Sequence, residues 1–502
     1  MRKNVLLLVL LLAGFSGFAQ QKIYKSVLNS KIRGGGVIMK SDELAGYYSF
    51  YEVDRVDSKN RAFRVALIDN DLNDLGEIKL ERPKDSYLME NVFNGKAFMF
   101  FFLNAKNVEL ETYDLTGKKL GTKVYEDANK WERLRATAAQ SAGVNGEVNQ
   151  SIFPIGDEGF LKQGITKGDK RGYYLAAYNN DMSLRWETDA PSSSLIENID
   201  VVAVTKDHII GSVYKQKNVF DMPDNTFMAL FDVRTGKKLW EKELMVDRKR
   251  MTVVNVFPVE GTDDMFVIGE LFGPDDQVFK AKSKGMYAMR MGLDGVPLQT
   301  ELLEWEKDIL PFVPADEKGN RDMDRIFFQK VVRLKNGSIH CIGEEYKKAL
   351  AATGGIQITT KDMFVIELGA DLKMKQCTVF PKSKSRHEFD RNYAMYSASV
   401  LAKLVKQMGL FDYEFTTQDK SSDRFFASYL DYDRSKNEDG KKAGTYLGTI
   451  VGDGKAAPTL DRYDVKATGS FRALPAKPGY VLVREYNRKL KELTLRLEKV
   501  NF

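Results

Sequence analysis

The sequence predicts an all-β protein, a single β-propeller of eight blades. Three observations predict it. A hairpin made of an apolar strand, a tight turn of Asp, Asn or Gly, and a second strand recurs along the chain. A similar hairpin stands ahead of several of these copies, and a lone strand-like segment near the N-terminus can complete an unfinished blade at the C-terminus.

The repeated hairpin is clearest at residues 227–244, FMALFDVRTGKKLWEKEL, and an earlier copy at 108–120 reads VELETYDLTGKKL. Further copies of the same form begin at Arg64, Tyr174, Met286, Met363 and Tyr446. Asp-Gly and Asn-Asp pairs tolerate the positive φ that tight hairpin turns need. The predicted turns are Leu75-Gly76, Thr116-Gly117, Asn180-Asp181, Thr235-Gly236, Asp294-Gly295, Ala370-Asp371 and Asp453-Gly454.

The preceding hairpins supply the first half of each blade. Residues 256–270 and 331–344 read as strand, polar turn and strand, and 153–164 and 201–213 have the same form. Two successive hairpins make a four-stranded sheet, which is the unit of a propeller.

The two ends of the chain predict how the ring closes. Residues 470–500 supply about three strands, and residues 22–32, KIYKSVLNSKI, supply one strand without a partner of its own. Joining them makes the eighth blade and covers a sheet edge that would otherwise be exposed. If the C-terminal segment is only an outer hairpin, the ring has seven blades. A tandem of β-sandwiches is a further alternative, but no Pro/Gly/Ser-rich linker stands between two halves.

Two segments interrupt the β pattern and predict short helices. Residues 130–142 are Ala-rich and end before Gly143, and residues 396–408 place an apolar stripe on one face before Gly409. We expect both helices to pack their apolar side on the ring.

The first nineteen residues predict a signal peptide. Arg2 and Lys3 precede an apolar run at 5–13, and Gly17 and Ala19 supply the small side chains that signal peptidase requires. The apolar run is too short for a membrane span, which needs about 20 residues. The sequence therefore predicts a mature chain of residues 20–502, exported to the periplasm or the cell exterior and not an integral membrane protein. The junction at 17–21, Gly-Phe-Ala-Gln-Gln, resembles signal peptides of the Bacteroides type.

Charge and cysteine content narrow the class further. The formal net charge is +6 and no dense Lys/Arg stripe stands out, so nucleic acid is not predicted as a partner. Cys341 and Cys377 fall on the second and fourth strands of one predicted blade, about 9.6 Å apart across the sheet. Because a disulfide needs Cα atoms within about 7 Å, both thiols are predicted to be free and mostly buried.

Residues 229–240, ALFDVRTGKKLW, resemble the blade repeat of quinoprotein-type propellers, which runs strand, Asp, Thr-Gly and Trp. The copy that ends in Trp186 fits less well, and the Asp114–Gly117 turn is followed by no Trp. The resemblance implies the propeller fold and favours the non-enzymatic scaffold members. The family's tryptophan belt is missing from most blades, so residues for a quinone or its metal cannot be placed. We predict no cofactor, and a quinone or haem absorbance band in purified protein would contradict this.

Candidate metal and catalytic residues have simpler interpretations. The acidic run at 69–77 has a calcium-loop spacing, but Asp74 stands where the loop needs Gly and Leu80 where it needs Glu. His208 and His340 fall on strands of different blades, and His387 falls in a charged segment that indicates a solvated loop. No metal site is predicted, and no catalytic residue is identified.

The predicted binding surface comes from loop length. In a propeller, the loops that join second and third strands open on one side, and five are long here: 54–61, 215–226, 272–285, 346–361 and 432–444. Two neighbouring loops, 215–226 and 272–285, mix apolar and acidic side chains, which is typical of recognition surfaces. The candidate ligand-binding residues are Phe220, Asp221, Met222, Asp224, Phe272, Asp275, Asp276, Phe279 and Tyr346.

The sequence thus predicts a secreted, non-catalytic binding or scaffold module for a glycan, a peptide or an envelope protein. The alternative is a carbohydrate-active hydrolase that uses acidic residues at the mouth of the propeller channel. Converging acids at that mouth would favour the hydrolase.

Overall fold

Eight antiparallel sheets, seven of four strands and one of five, follow one another around a ring, and the chain forms an eight-bladed β-propeller, as predicted. The computed structural model describes residues 20–28, 35–40, 43–104, 107–126, 151–166, 172–218, 223, 225–259, 262–315, 318–395, 398–419, 421–432, 444–464 and 470–500. The predicted signal peptide and the predicted helix at 130–142 lie outside these residues.

Each blade runs from an inner first strand to an outer fourth strand. Strand β1 (Gln21–Tyr24) comes first in the chain. Blade 1 consists of β2 (Gly35–Lys40), β3 (Glu43–Arg55), β4 (Asn60–Ile68) and β5 (Asp74–Pro83). Blade 2 consists of β6 (Ser86–Phe93), β7 (Ala97–Asn104), β8 (Asn107–Asp114) and β9 (Lys119–Tyr125). Blade 3 consists of β10 (Ile152–Ile155), β11 (Gly159–Ile165), β12 (Tyr173–Asn179) and β13 (Leu184–Asp189). Blade 4 consists of β14 (Ile196–Val204), β15 (His208–Gln216), β16 (Thr226–Asp232) and β17 (Lys238–Glu243).

The second half of the ring carries insertions between its blades. A small hairpin, β18 (Met245–Val246) and β19 (Lys249–Arg250), precedes blade 5, which is β20 (Asn255–Pro258), β21 (Asp264–Leu271), β22 (Gly285–Gly292), β23 (Pro297–Glu304). Helical turns at Trp305–Ile309 and Leu310–Phe312 lead to blade 6, which is β24 (Arg325–Arg333), β25 (Ile339–Leu350), β26 (Ile356–Leu368), β27 (Met374–Phe380).

An extra strand and a helix follow blade 6. β28 (Ser385–Phe389) pairs with β26, and a helical turn at Arg391–Met395 leads to α1 (Ala398–Gln407). Blade 7 is β29 (Tyr413–Asp419), β30 (Arg424–Tyr432), β31 (Thr445–Gly452), β32 (Thr459–Asp464), and the C-terminal strands are β33 (Ser470–Pro475), β34 (Tyr480–Asn487), β35 (Glu492–Lys499). Helix α1 lies within the predicted segment 396–408 and buries its apolar side, as expected, but it packs on the extended ends of β25 and β26 through a cluster with Tyr346 and Ile358.

The N-terminal strand closes the ring. β1 pairs with β35, from Gln21 opposite Arg496 to Tyr24 opposite Leu493, so blade 8 has the order β33, β34, β35, β1. The first strands of blades 8 and 1 also contact each other. This confirms eight blades and excludes the seven-blade and sandwich alternatives.

The core is repeated between blades rather than enlarged. On β7, Phe98, Phe100 and Phe102 pack in a cluster shared with blade 1. The alternating residues Met99 and Phe101 pack in a cluster shared with blade 3. Because successive side chains of a strand point to opposite faces, a fully apolar strand serves two neighbouring cores.

The outer turns correct part of the sequence prediction. Gly117, Gly236, Gly295 and Gly454 take positive φ as expected, but Gly76 lies inside β5, opposite Leu67, and the predicted Leu75-Gly76 turn is wrong. The blade 1 turn places Leu72 in the left-handed region, and Met182 and Leu372 occupy the same place in blades 3 and 6. These three side chains are buried. Burial of the side chain offsets the cost of a non-glycine residue in this conformation.

The Trp and Thr-Gly elements of the repeat meet between blades. The Trp186 ring nitrogen of blade 3 donates to the Val233 carbonyl of blade 4 at 3.0 Å, and Trp240 of blade 4 donates to Leu293 of blade 5 at 2.6 Å. A Cβ added to Gly236 would lie 2.4 Å from the Trp186 ring. Glycine is therefore required by the neighbouring tryptophan as well as by its own turn.

Replacing Gly236 with Ala is expected to lower the free energy of unfolding by about 1–3 kcal/mol, because the residue has φ +70° and its new methyl group meets the Trp186 ring. Urea denaturation measures the change. Gly319→Ala is the matched control, since it has a similar φ and nothing within 4 Å of its Cβ. Equal losses in the two variants would show that the tryptophan contact contributes nothing.

The two cysteines lie where the sequence predicts. Cys341 is on β25 and Cys377 on β27, and Ile366 of β26 pairs with both of them. Both are free and buried, and burial raises the pKa of the Cys341 thiol above its usual range and that of Cys377 to about 12. We expect a thiol reagent to label neither cysteine in the native protein and both in denaturant, with no reductant needed. A 341–377 bridge in the mass spectrum of unreduced protein would contradict the strand order.

Candidate functional site

One end of the ring carries the insertions. The antiparallel order places connections between second and third strands, and those between blades, at the same end. The β18–β19 hairpin, the helical turns after β23, and the β28–α1 segment all lie in such connections. We call this end the insertion face and the end with the tight hairpin turns the turn face.

The predicted loop of blade 5 is folded back on itself. Phe272 is buried, and the Asp276 carboxylate accepts a hydrogen bond from the Gly273 N–H at 2.7 Å, while Asp275 is exposed. The Phe279 ring lies 5.5 Å from the ring of Tyr214, which directly precedes the blade 4 loop. This contact joins the surroundings of the two loops. The predicted residues Phe220, Asp221, Met222 and Asp224 lie outside the described residues.

Two of the five loops predicted to be long are strands with short turns. Residues 54–61 contain the ends of β3 and β4 and a turn at 56–59. Residues 346–361 belong mainly to β25 and β26, which extend beyond the ring as a hairpin with a turn at 351–355. Tyr346 lies on this extension, fully buried, and its ring contacts those of Phe327 and Phe411. The structure does not bring Tyr346 into the blade 5 loop cluster.

A cavity of about 780 Å³ opens between blades 6, 7 and 8. Its wall comes from β28, from residues 409–414 after α1, from the facing ends of β30 and β31, and from β33. The polar side chains on the wall are Ser385, Arg386, His387, Asp412, Glu414, Tyr432, Thr445 and Arg472. We call this space the blade 6–8 cavity.

A buried ion cluster lies behind the cavity wall and reaches it through Asp412 and Ser385. The Lys382 ammonium is fully buried and lies 3.1 Å from Oε1 of Glu344 and 2.6 Å from Oδ2 of Asp412. The Asp412 carboxylate also accepts hydrogen bonds from the hydroxyls of Ser385 at 3.0 Å and Thr360 at 3.2 Å. Three segments distant in sequence are therefore tied together at one point between blades 6 and 7.

Burial and neighbouring charges shift the pKa values of this cluster in opposite directions. Burial raises the pKa of Glu344, and Lys382 lowers it by less. Burial lowers the pKa of Lys382, but Glu344 and Asp412 more than reverse this, so that its pKa is raised. The Glu344 carboxylate also accepts backbone N–H bonds from Asp412 at 3.3 Å and Tyr413 at 3.1 Å. Lys382 is therefore held as a cation, and it compensates the carboxylates on either side.

Glu414 is a second buried acid on the cavity wall. Its carboxylate lies 3.6 Å from Nη1 of Arg472, which is half exposed. Burial raises the pKa of Glu414 to about 7, although Arg472 and the backbone N–H of Ala473 lower it. Near neutral pH this carboxyl therefore exchanges a proton while Asp412 is bound by Lys382.

His387 corrects the prediction of a solvated loop. It lies on β28, opposite Ile358, half-buried at the cavity wall. Burial lowers its pKa, and its ring is hydrogen bonded to the backbone of Leu410. Its Nε2 atom is buried and has no hydrogen-bond partner among the described residues. The neighbouring Arg386 is exposed.

Within the described part of the chain, no group of three or more His, Cys, Asp or Glu side chains has the arrangement of a metal site. The Asp69 carboxylate accepts backbone N–H bonds from Asp71 and Asn73 at 2.8 Å, so the calcium-like run of blade 1 makes a turn, as the sequence indicated. No helix in the described ranges has the length and apolar character to cross a membrane.

A family model described as "Family of unknown function (DUF6770)" matches residues 1–501. The chain belongs to this family. No curated protein matches the chain.

Several solved structures are similar to this DUF6770 protein in fold. The Dos1 propeller has a TM-score of 0.41 at 7% identity, over 97% of this chain and 96% of its own. Quinohemoprotein alcohol dehydrogenase from Comamonas testosteroni has a TM-score of 0.39 at 10% identity, over 81% and 68%. Prolyl oligopeptidase B from Galerina marginata has a TM-score of 0.40 at 8% identity, over 94% of this chain and 55% of its own. Likenesses of this degree do not transfer an activity.

The arrangement in this DUF6770 member is suited to holding a polar ligand. Two arginines, a histidine and a titratable carboxyl border one cavity, beside the apolar side chains of Leu410, Phe411 and Leu430. A few directed polar groups in a partly apolar concavity are typical of small-ligand sites.

Proposed function

We propose that this protein is an exported, non-catalytic binding module whose insertion face binds a glycan, a peptide or an envelope protein, with the blade 6–8 cavity as the anchoring point. The observation that carries the proposal is the convergence of charged side chains from three blades on one cavity. Buried charges are costly to maintain. The two buried acids at this wall, Asp412 and Glu414, therefore support a role in recognition.

A steric block tests the cavity without changing its charges. Gly444 lines the cavity, and a Cβ at this position would meet nothing within 4 Å. Gly444→Trp places an indole there, whereas Gly444→Ala adds one methyl group and serves as the control. We expect wild-type protein and Gly444→Ala to bind the same members of an immobilised glycan and peptide panel, and Gly444→Trp to bind them at least about tenfold more weakly.

Binding that is unchanged in Gly444→Trp would place the binding surface elsewhere. The blade 4 and blade 5 loops at 215–226 and 272–285 are the other candidate on the same face, because Tyr214 and Phe279 join their surroundings. Replacing both loops with tight turns would then abolish binding while the melting temperature is retained. If neither change affects binding, the insertion face is not the binding surface.

Export is proposed from the signal-like sequence at residues 1–19. Expression of the full chain in a Gram-negative host, followed by N-terminal sequencing of the periplasmic protein, should identify Gln20 as the first residue. Retention of Met1 in a cytoplasmic product would oppose it.

A hydrolase is the second candidate, because Asp412 and Glu414 are acids in contrasting environments on one cavity wall. Glycosidases use a pair of carboxyl groups, one of which has a raised pKa. Release of reducing sugar from polysaccharides by wild-type protein, lost in both Glu414→Gln and Asp412→Asn, would favour it. Binding of a polysaccharide without its hydrolysis would support the non-catalytic binding module instead.

A further inference from the structure

We propose that the blade 6–8 cavity takes a carboxylate-bearing saccharide, held by Arg386 and Arg472, and that it binds this anion more tightly as the pH falls below neutrality. The inference rests on the proposed binding function and names the ligand class for the same cavity. It stands on the charges that surround the cavity and on the cavity's size.

Arg386 is a cation for which the described residues supply no compensating carboxylate. Its side chain is exposed at the cavity wall, and no described carboxylate lies within ion-pair distance of it. A planar guanidinium matches a carboxylate in two parallel hydrogen bonds. Arg386 therefore provides one half of an anion site.

Arg472 provides the other half. Its side chain is 45% exposed, and the 3.6 Å separation from Glu414 is an ion pair longer than a good hydrogen bond. A guanidinium has five N–H donors in a fork, so Arg472 can hold an incoming carboxylate while it stays beside Glu414. The two arginines come from blades 6 and 8, on separate walls of the same cavity.

The other charges near the cavity decide how the site responds to pH. Glu414 faces Arg472 of β33, Asp412 from the segment before β29 and Tyr432 at the end of β30. Asp412 is in turn paired with Lys382, which also compensates Glu344. Burial raises the pKa of both Glu344 and Glu414 to about 7, but Glu344 is paired with Lys382 and only Glu414 lies beside Arg472. The charge that changes near neutrality beside Arg472 is therefore that of Glu414.

The sign of the pH effect follows. The pKa of Glu414 is about 7, so below this pH its carboxyl becomes neutral and Arg472 loses its internal counter-ion. The carboxylate of a uronic acid remains ionised at pH 6 and replaces that counter-ion. Above pH 7 the Glu414 charge competes for Arg472 and repels the ligand, so affinity falls as pH rises.

Size and lining favour a saccharide over a polypeptide partner. A volume of about 780 Å³ lies within the range of small-ligand pockets. Tyr432 and Leu430 give an apolar wall for a sugar ring, while the hydroxyl group of Thr445 can bond to the hydroxyl groups of the sugar. We therefore infer that one or two acidic sugar units fill the cavity.

Calorimetric titration with trigalacturonate and with neutral galactotriose, at pH 6 and pH 8, tests the proposal. At pH 6, wild-type protein should bind trigalacturonate at least about tenfold more tightly than galactotriose. Its affinity for trigalacturonate should be at least about threefold lower at pH 8 than at pH 6. Arg386→Ala and Arg472→Ala should each lower the affinity for trigalacturonate at pH 6 by about tenfold, as expected for loss of a charge-assisted hydrogen bond. Arg234→Ala is the control, since Arg234 is a 75% exposed arginine on the turn face.

Glu414→Gln separates the pH effect from the arginines. Because Gln carries no charge, this variant should bind trigalacturonate at pH 8 as tightly as the wild type does at pH 6. A wild-type affinity that is the same at both pH values would overturn the pH dependence. Melting curves establish that each variant is folded, and Arg386, being exposed, gives a test that does not depend on the buried groups.

The failures are distinguishable. If galactotriose or a peptide binds in a Gly444→Trp-sensitive way and trigalacturonate does not, the ligand class is wrong and the binding module stands. If trigalacturonate binds Gly444→Trp as well as the wild type, the cavity is not its site and the proposed function loses its anchoring point. Loss of binding in Arg234→Ala equal to that in Arg386→Ala would show a general charge effect and overturn the proposal.

Discussion

Replacing Lys382 with Met is expected to lower the free energy of unfolding by about 3–5 kcal/mol, because it leaves Glu344 and Asp412 as buried charges without their cation. Urea denaturation at pH 7 measures the change. Lys384→Met is the control, since its exposed side chain lies two positions along the same segment, and it should change stability by less than about 0.5 kcal/mol.

The loss should depend on pH. Burial already raises the pKa of Glu344 above 4.5, its usual value, so the folded protein binds this proton more tightly than the unfolded chain. Stability from this group is complete below its unfolded pKa and is lost as pH rises through its folded pKa. Without Lys382 the pKa of Glu344 rises further, so the Lys382→Met variant should lose more stability at pH 8 than at pH 5.

A second substitution locates the cause. Glu344→Gln in the Lys382→Met background removes one uncompensated charge, and we expect it to recover part of the loss at pH 8. If Lys382→Met is as stable as Lys384→Met at both pH values, the ion cluster contributes nothing to joining blades 6 and 7.

The ring was predictable because its determinants are local. Residues 227–244 show two apolar strands around a Thr-Gly turn, and this pattern recurs at the spacing of a blade. The closing strand was predictable because β1 has no partner near it in sequence, whereas the C-terminal blade lacks a strand. The positive φ of Leu72, Met182 and Leu372 could not be predicted, because an apolar residue gives no local signal of this conformation. Burial of these side chains in the folded ring stabilises it instead.

The cavity could not be predicted because its residues are far apart in the chain. His387, Asp412 and Arg472 of its wall belong to different blades or connections and meet only in the folded ring. The same is true of Glu344 and Lys382, which lie behind Asp412. The segment KSKSRHEFDRN indicates a solvated loop by composition, yet its first residue, Lys382, is buried. Composition measures how polar a segment is, and it does not show that another blade covers it.

The strand that closes the ring is the second place where a large effect is expected. Val27 is fully buried with Tyr51, Ala66 and Leu493, and its N–H donates to the Lys491 carbonyl at 2.9 Å. Beside it, β1 covers the outer edge of β35. Without residues 20–28, this cluster opens and β35 presents unpaired backbone groups.

We expect a chain beginning at residue 29 to be less stable than one beginning at Gln20 by about 3 kcal/mol or more, from the lost burial of Val27 and its neighbours together with the strand pairing. It should also self-associate through the bare edge of β35, because an open strand edge is a template for pairing. Melting curves and sedimentation measure the two effects.

A synthetic peptide of residues 20–28 should restore the monomer and raise the melting temperature by adding the missing strand. The same peptide with Val27→Asp should not, because it would bury an unpaired charge in the cluster with Leu493. A truncated chain that stays monomeric and melts with the longer one would show that three strands suffice for blade 8.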